Sequence, residues 1–444
     1  MIYLGSVLRQ NHFSAIVGLL PLSYILGTFF VNINILLIII SGSILYLKGK
    51  RFEISDVDKL VALFFFYILI SGLWNTVEIN FLNQSLNENY YILGKSLFFL
   101  RYFFLYLSIR LIFENNFLNF KVVFSFFSLT VFYVCIDVII QFFFGKNLFG
   151  YPSPFEYKNT GPFIDEPIAG GFIQRFSLYL FFAYIAFSSI KKLNLKVYTL
   201  SLLFILVITS IIFSGNRMPL ILFIISIILV MLTNKTIKRF LLQIFILIFV
   251  ISFVTINSND KLNRYYKTFY NQTENIVSYY VYKVTGIGSK TPFKRTPNYI
   301  YEFDSGISTF KLNKYLGGGV KSFRFNCPKR KITNRERTTC NMHPHNYYLE
   351  ILTDLGLFGF LIFSIMTILV IFKSYRNLFD FKNKYIFSPF FYVFLMEVFP
   401  IKSSGSFFTT NNAVIIFFSL AVVASFCSKD RVIGGPTGNR TPIR

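Results

Sequence analysis

Three arginines stand where membrane-spanning helices are expected, and they are the side chains best suited to bind an anion. Arg101 and Arg175 lie inside apolar runs, and Arg217 follows the Ser-Gly-Asn run at 214–216. Charged side chains inside a bilayer are costly and usually face a cavity or a partner. A guanidinium group pairs with phosphate oxygens through two parallel hydrogen bonds. Three converging arginines would therefore hold a diphosphate.

The structural alternative is that each arginine pairs with a helix-end carbonyl group or with an acidic neighbour such as Asp165 or Glu166. These two carboxylates precede Pro167 at the expected start of a helix, where negative charge suits the helix dipole and a first-turn proline is tolerated. In a functional role they would pair with Arg217 or contact a sugar. Both interpretations stay open from the sequence.

A second group of candidate residues is the run His343-Pro344-His345-Asn346, in which we predict that His343 and Asn346 bind substrate and that His345 is catalytic. Histidines on either side of a proline are expected to point in different directions, so we predict no metal site here. Asn346 can cap the helix that follows, whose positive end disfavours an imidazolium. A neutral His345 is suited to general-base work on a sugar hydroxyl; the alternative is a polar cap. Gly356 and Gly359 permit close helix packing, which would hold the histidine rigidly.

The run Gly317–Gly319 precedes Lys321 and Arg324. A flexible turn is one interpretation of these glycines; the other is a loop whose amide groups, with Lys321 and Arg324, approach an anion closely. The sequence contains no Walker A pattern, no HExxH and no G-x-S-x-G. Nothing therefore indicates ATP binding, zinc or a serine nucleophile, and we predict no cofactor.

The composition indicates the elements that position these residues. Of the 444 residues, 54% are hydrophobic and only 14% are charged, and the mean hydropathy is +0.56. Such a chain cannot be a soluble single-domain enzyme, and its apolar runs have the length of membrane spans. The sequence predicts an all-α polytopic membrane protein with about twelve spans, at 13–31, 34–47, 60–75, 91–112, 122–144, 168–190, 197–214, 217–232, 240–256, 346–372, 386–401 and 411–427.

Basic residues in short loops indicate the orientation, because such loops stay cytoplasmic when they carry Lys and Arg. With the N-terminus inside, the inner segments carry 21 basic residues and the short outer loops carry four. This split predicts that both termini are inside and that the long segment between spans nine and ten is outside. The basic residues behind the net charge of +24 are thus distributed as membrane topology requires, and we predict no nucleic-acid partner.

Four regions follow from this topology: an N-terminal bundle at 1–256, a large outer loop at 257–345, C-terminal spans at 346–427 and an inner tail at 428–444. The loop has a net charge of +11, which indicates either a solvated basic surface or an anionic ligand at the outer leaflet. We find no cleavable signal and interpret the first span as retained. The end of the tail, 434–444, differs in composition from the rest; we expect disorder there, question whether it is native coding sequence, and assign it no function.

The four cysteines fall into two pairs by location. Cys135 and Cys427 lie in predicted spans and are most simply interpreted as small core residues. Cys327 and Cys340 lie in the outer loop, where an oxidising periplasm would favour a disulfide between them. A zinc site is disfavoured because the cysteine spacing differs from the usual C-x2-4-C pattern.

Together these motifs resemble the O-antigen ligase and O-antigen polymerase superfamily of bacterial inner-membrane proteins. The shared features are multiple spans, Ser-Gly-Asn-Arg at a helix start, one large late periplasmic loop, and His-Pro-His-Asn followed by Leu-Gly-Leu-Phe-Gly at 355–359. The run Gly-Val-Lys-Ser-Phe-Arg with the two loop cysteines is also similar. The resemblance covers about 13–427, and its specificity lies in the order of the motifs.

The resemblance implies a metal-independent, inverting glycosyl transfer at the periplasmic face from an undecaprenyl-diphosphate-linked glycan donor. The acceptor would be a glycan or lipid A core, so ligase and polymerase activities are not separated. By matching position, Arg217 would contact the diphosphate, His345 would activate the acceptor hydroxyl, and Arg324 would be a second diphosphate ligand. The rival hypotheses are a flippase for lipid-linked oligosaccharides and a non-catalytic channel or anchor. Neither accounts for the large outer loop.

Overall fold

The computed structural model describes residues 2–77, 86–188, 193–234, 238–288, 298–330, 339–378, 384–402 and 405–427. The predicted tail at 428–444 lies outside these residues. The described residues form α-helices and no β-strand. The predicted all-α class is therefore confirmed.

The helices of the first half are α1 (Ile2–Gly18), α2 (Leu20–Leu26), α3 (Thr28–Leu47), α4 (Asp56–Val77), α5 (Leu86–Phe99), α6 (Arg101–Glu114), α7 (Phe120–Phe144) and α8 (Ala169–Phe187). Those of the second half are α9 (Leu193–Phe213), α10 (Arg217–Thr233), α11 (Lys238–Asn257), α12 (Asp260–Thr285), α13 (Asn298–Phe310), α14 (Phe323–Asn326), α15 (Tyr347–Leu378), α16 (Lys384–Glu397) and α17 (Thr410–Ala424). Short 3-10 turns lie at Gly161–Phe163 and Cys327–Lys329.

Six stretches of the described chain are long and apolar enough to cross a membrane: Thr28–Leu47, Asp56–Thr76, Asn87–Glu114, Phe120–Phe144, Ala169–Phe187 and Tyr347–Leu378. Shorter apolar helices lie at Val197–Phe213, Arg217–Thr233 and Thr410–Ala424. The chain is thus a multi-pass membrane protein. The count of twelve spans and the orientation stay predictions.

The first two predicted spans differ from the structure. The predicted break between 31 and 34 is wrong, because α3 runs without interruption from Thr28 to Leu47. The chain breaks instead at Gly27, whose φ of 102° is a conformation that glycine adopts readily. The predicted helix at 91–112 is also divided, since Leu100 separates α5 from α6.

Helix α15 is interrupted at Gly356, where φ is 65° and the backbone leaves the helical conformation. The chain between α13 and α14 inserts at this break: Leu357 N donates to Lys314 O at 2.8 Å, and Gly319 N donates to Asp354 O at 2.7 Å. Gly356 thus admits a loop backbone. Our interpretation of Gly356 as a helix-packing glycine is therefore wrong.

The predicted outer loop at 257–345 contains helices of its own. The 26-residue α12 is preceded by Asn259, whose side chain accepts from Leu262 N and caps the helix. Gly286 ends it in a left-handed conformation. Helix α13 packs against α15. The described part of the loop therefore packs against one end of the bundle.

Candidate active site

A cavity of about 1100 Å³ lies where α8, α10, α12 and α13 meet the chain before α15 and the chain between α16 and α17. Its lysine, arginine, histidine and glutamate lining residues are Lys158, Glu166, Arg175, Glu302, His343, His345 and Lys402. Its lining carboxamides are Gln174, Asn216, Gln272, Asn275, Asn411 and Asn412. The wall is thus rich in groups that pair with anions and hydroxyl groups.

The two histidines lie side by side, with ring centroids 4.4 Å apart. Our expectation that His343 and His345 point in different directions is therefore wrong. The chain turns at His345, whose φ of 53° is in the left-handed region, and this turn brings the rings together. Burial, followed by the neighbouring His345 imidazole and the charges of Lys321 and Arg324, lowers the pKa of His343 to about 4. His343 is therefore neutral near pH 7.

Asn346 caps α15, since its Oδ1 accepts from Tyr348 N at 3.0 Å and from Leu349 N at 3.1 Å. Its Nδ2 donates to Pro400 O at 2.8 Å. Both polar ends of this amide are thus occupied by protein groups. We therefore reassign Asn346 from substrate binding to holding His345 at the helix start.

Arg175 forms a two-point ion pair with Glu397, with Nε–Oε1 at 2.8 Å and Nη2–Oε2 at 3.0 Å. Its Nη2 also donates to Asn412 Oδ1 at 2.5 Å. Lys402 Nζ contacts the same carboxylate at 2.6 Å, and burial lowers the pKa of this ammonium to about 8. The partner of Arg175 is thus Glu397, and the suggested pairing with Asp165 or Glu166 is wrong. Two cations and one anion leave this wall with net positive charge.

Arg217 is the first residue of α10, and its side chain contacts residues of α12. Its guanidinium stacks on the Tyr265 ring at 3.7 Å from the centroid, and Nη2 donates to Tyr265 O at 2.9 Å. Nη1 donates to Gln272 Oε1 at 3.4 Å, while Nε is buried without a partner among the described residues. Burial and the charge of Arg217 lower the pKa of Lys158. Positive charge therefore concentrates at this end of the cavity.

Local geometry explains the Ser-Gly-Asn-Arg run. Gly215 has φ of 68°, and a Cβ there would lie 2.1 Å from Tyr157 O. Asn216 joins two helix starts, because its Nδ2 donates to Pro167 O at 2.9 Å and its Oδ1 accepts from Gly170 N at 3.0 Å. The run thus fixes the starts of α8 and α10 against each other. Glycine is needed for close approach and asparagine for the bridge.

Arg101 is near the cavity but does not line it. Its guanidinium donates to Phe98 O at 2.9 Å, to Tyr102 Oη at 2.7 Å and to the lining residue Thr410 at 3.2 Å. Its Nε is buried and unpaired among the described groups. Of the three arginines, only Arg175 lies in the wall. The structure thus places Arg101 and Arg217 behind lining residues.

Lys321 and Arg324 lie beyond the cavity wall, toward α5. Arg324 Nη1 donates to Tyr91 Oη at 3.0 Å. Lys321 N donates to Asp354 Oδ2 at 2.7 Å, and Gly318 N donates to Thr353 O at 3.1 Å. The amide groups of this loop hold α15, so the suggested anion-binding use of the glycine run is wrong.

Asp165 and Glu166 are both exposed, and only Glu166 lines the cavity. The predicted helix start is displaced, because α8 begins at Ala169 and Ile168 occupies the capping position. Pro167 therefore precedes the helix instead of lying in its first turn.

The sequence reasoning missed Glu302, Glu397 and Lys402. Glu302 lies in α13, and its Oε1 is 4.0 Å from His345 Nε2. Glu397 ends α16, within a predicted span, where an acidic residue signals a partner or a cavity. That signal was present in the sequence. No such signal marked Glu302, because it lies in the outer loop, where acidic residues occur in several places.

Cys327 and Cys340 are joined by a disulfide. Cys327 follows α14, and Cys340 precedes the histidine run, so the bond ties the chain before the histidines to the end of α14. Cys135 and Cys427 are free and buried. Among the described residues, no group of three or more His, Cys, Asp or Glu is placed to hold a metal ion.

Residues 202–364 match the family model described as O-antigen ligase. The matched stretch begins within α9, continues through α10–α13 and the histidine run, and ends within α15. The search of curated proteins found no match. Over residues 202–364 the predicted resemblance to the O-antigen ligase and O-antigen polymerase superfamily is therefore confirmed.

Proposed function

We propose that this chain is an inner-membrane glycosyltransferase of bacterial surface polysaccharide assembly. It transfers or polymerises glycan from an undecaprenyl-diphosphate-linked donor onto a glycan or lipid A-core hydroxyl at the periplasmic face. The observation that carries the proposal is one cavity whose wall combines a base candidate, His345, with the cations Arg175, Lys402 and Lys158. Arg217 lies directly behind that wall.

The chemistry requires a stabilised leaving group and a base. The acceptor oxygen attacks the anomeric carbon, the bond from that carbon to the phosphate oxygen breaks, and the electron pair leaves with the diphosphate. The acceptor proton passes to His345 and then to solvent. Because the diphosphate donor is already activated, the reaction needs no ATP. Cations near the leaving oxygen stabilise the charge that develops there.

The positions of the cations suggest how the donor lies. Glu397 pairs with Arg175 and neutralises its charge, so Arg175 is not the main cation for a diphosphate. Arg217 has no ion pair with a described residue, and Lys158 adds a second cation beside it. We therefore assign the diphosphate to the Arg217 end of the cavity. Arg101 and Arg324 are more distant supporting cations in this arrangement.

The carboxamides support a glycan ligand in the rest of the cavity. Gln174 is 2% exposed, and its Nε2 has no partner among the described groups. Asn411 Oδ1 is likewise buried and unpaired. A buried unpaired donor and acceptor are costly, and sugar hydroxyl groups would satisfy both. A binding site for an apolar molecule would not need them.

The test is glycan transfer by the purified protein in lipid nanodiscs with a lipid-diphosphate-linked oligosaccharide and a sugar acceptor. His345→Ala should lower the transfer rate by about 10²–10⁴-fold, the usual contribution of a general base. Correct insertion is checked by size-exclusion chromatography and thermal unfolding. Normal transfer by the folded variant would reduce His345 to a structural residue. Movement of intact donor between leaflets without transfer would support a flippase instead.

A further inference from the structure

We propose that Glu302 is the acidic partner of His345: it fixes the imidazole tautomer and stabilises the imidazolium formed when the acceptor hydroxyl loses its proton. The proposal rests on the proposed function, since it concerns the same base. It assigns Glu302 as a positioning residue that acts through His345. Lipid A-core and glycan acceptors would use the pair alike.

The geometry places the carboxylate against one ring nitrogen. Glu302 Oε1 lies 4.0 Å from His345 Nε2, and both residues line the cavity. The same Oε1 accepts from Asn341 Nδ2 at 3.1 Å, which orients the carboxylate. The separation exceeds a hydrogen bond, but catalytic contacts are often long without substrate and shorten in the reacting complex.

Burial makes this carboxylate unusual. The Glu302 side chain is 13% exposed, and its Oε2 is buried with no partner among the described residues. Burial raises the pKa of Glu302, and the nearby His345 opposes that rise. A buried carboxylate with one unpaired oxygen is costly unless a cation forms beside it. Proton transfer to His345 creates that cation.

The remaining charged and titratable groups around His345 explain why a carboxylate is needed. On its own segment lies His343, which is neutral, with Lys321 and Arg324 behind it. Lys402, from the chain between α16 and α17, lines the same cavity, and the N-terminus of α15 is positive. Glu166 is an exposed lining carboxylate, and Glu397 is paired with Arg175 and Lys402. Glu302 is thus the carboxylate that contacts His345, on a side of the cavity that also carries Lys402.

The pairing with Glu302 also decides which ring nitrogen of His345 accepts the proton of the acceptor hydroxyl. A carboxylate facing Nε2 favours the neutral tautomer with hydrogen on Nε2, which leaves the lone pair on Nδ1. Nδ1 makes no hydrogen bond with the described residues, and the His345 side chain is 35% exposed toward the cavity. The acceptor proton therefore passes to Nδ1 as the acceptor oxygen bonds to the anomeric carbon. The Nε2–H of the imidazolium then faces the Glu302 carboxylate.

The test compares Glu302→Gln with wild-type protein in the nanodisc transfer assay over a range of pH. Glutamine preserves the shape and the acceptor for Asn341 but removes the charge. We expect the transfer rate to fall by at least about tenfold while donor binding is unchanged. The acid limb of the pH–rate profile should move to lower pH by on the order of one pH unit, because the imidazolium loses its neighbouring anion. Glu302→Asp should restore part of the rate.

A second measurement does not depend on activity. The chain has only three histidines, so selective ¹⁵N-histidine labelling gives an NMR spectrum that single variants can assign. The wild-type His345 should be the Nε2–H tautomer, and Glu302→Gln should lose that preference. Glu274→Gln, an exposed carboxylate in α12, is the matched control and should change neither readout.

The outcomes separate the two proposals. If His345→Ala abolishes transfer but Glu302→Gln keeps the normal rate, pH profile and tautomer, only the role of Glu302 is refuted. If His345→Ala transfers normally, the base assignment is wrong as well. If wild-type protein transfers no glycan, the proposed function itself is contradicted. A Glu302→Gln variant that fails to fold leaves the decision to Glu302→Asp and its pH profile.

Discussion

At the scale of single residues, Glu397 sets the charge balance of the cavity wall. The carboxylate is fully buried and contacts both Arg175 and Lys402. Removing one partner of a buried ion pair leaves an uncompensated charge and typically costs about 3–5 kcal/mol. We therefore expect Glu397→Gln to lower the thermal unfolding temperature clearly in detergent. Glu274→Gln, an exposed carboxylate without a described ion pair, should unfold at the wild-type temperature.

An unchanged unfolding temperature for Glu397→Gln would contradict the description of this wall as a buried ion cluster. The cost follows from burial, because an exposed ion pair would contribute little.

The sequence predicted part of this cluster. An arginine within a membrane span is costly without a partner, and this identified Arg175 as a residue that pairs with another group. The partner is 222 residues away, so no local pattern connected the two. The same limit applies to Glu302, which reaches His345 only because α13 packs against α15. Residue types reveal which groups need a partner, whereas tertiary packing decides which partner they meet.

At the scale of elements, the break in α15 connects the loop to the active site. A Cβ on Gly356 would lie 2.3 Å from Tyr315 O, and its φ of 65° disfavours other residues. Gly356→Ala should therefore destabilise the protein by more than about 1 kcal/mol and loosen the chain before α15. Thermal unfolding and protease sensitivity of the 257–345 segment would measure both effects. Gly94→Ala is the matched control, since no atom lies within 4 Å of its added Cβ.

Equal stability of the two glycine variants would show that the loop does not insert at the helix break.

Apolar runs predicted most of the long helices, because membrane spans require continuous hydrophobicity. They could not predict the break at Gly356, since the groups that satisfy its backbone come from 314–319, a distant part of the chain. The first predicted helix boundary was wrong for a different reason. Hydropathy stays high across Gly27, and only the backbone conformation marks the break.

At the scale of the whole molecule, the function depends on which side of the membrane the cavity faces. The distribution of basic residues, 21 against four, predicts that the segment 257–345 is outside. Reporter fusions after residue 300 should therefore read periplasmic, and fusions at 236 and 430 should read cytoplasmic. A cytoplasmic signal at 300 would overturn the orientation and the proposed site of transfer together.

The central claim is a division of labour within one cavity, in which Arg217 binds the donor diphosphate and His345 activates the acceptor. The most direct measurement is donor binding and transfer by the same folded variants, with a labelled lipid-diphosphate donor in nanodiscs. Arg217→Ala should weaken donor binding, and Arg217→Lys should not restore it, because one ammonium cannot replace the guanidinium that stacks on Tyr265. His345→Ala should bind donor nearly as wild type does and transfer about 10²–10⁴-fold more slowly. Equal donor affinity for Arg217→Ala and wild type, or normal transfer by His345→Ala, would contradict the division.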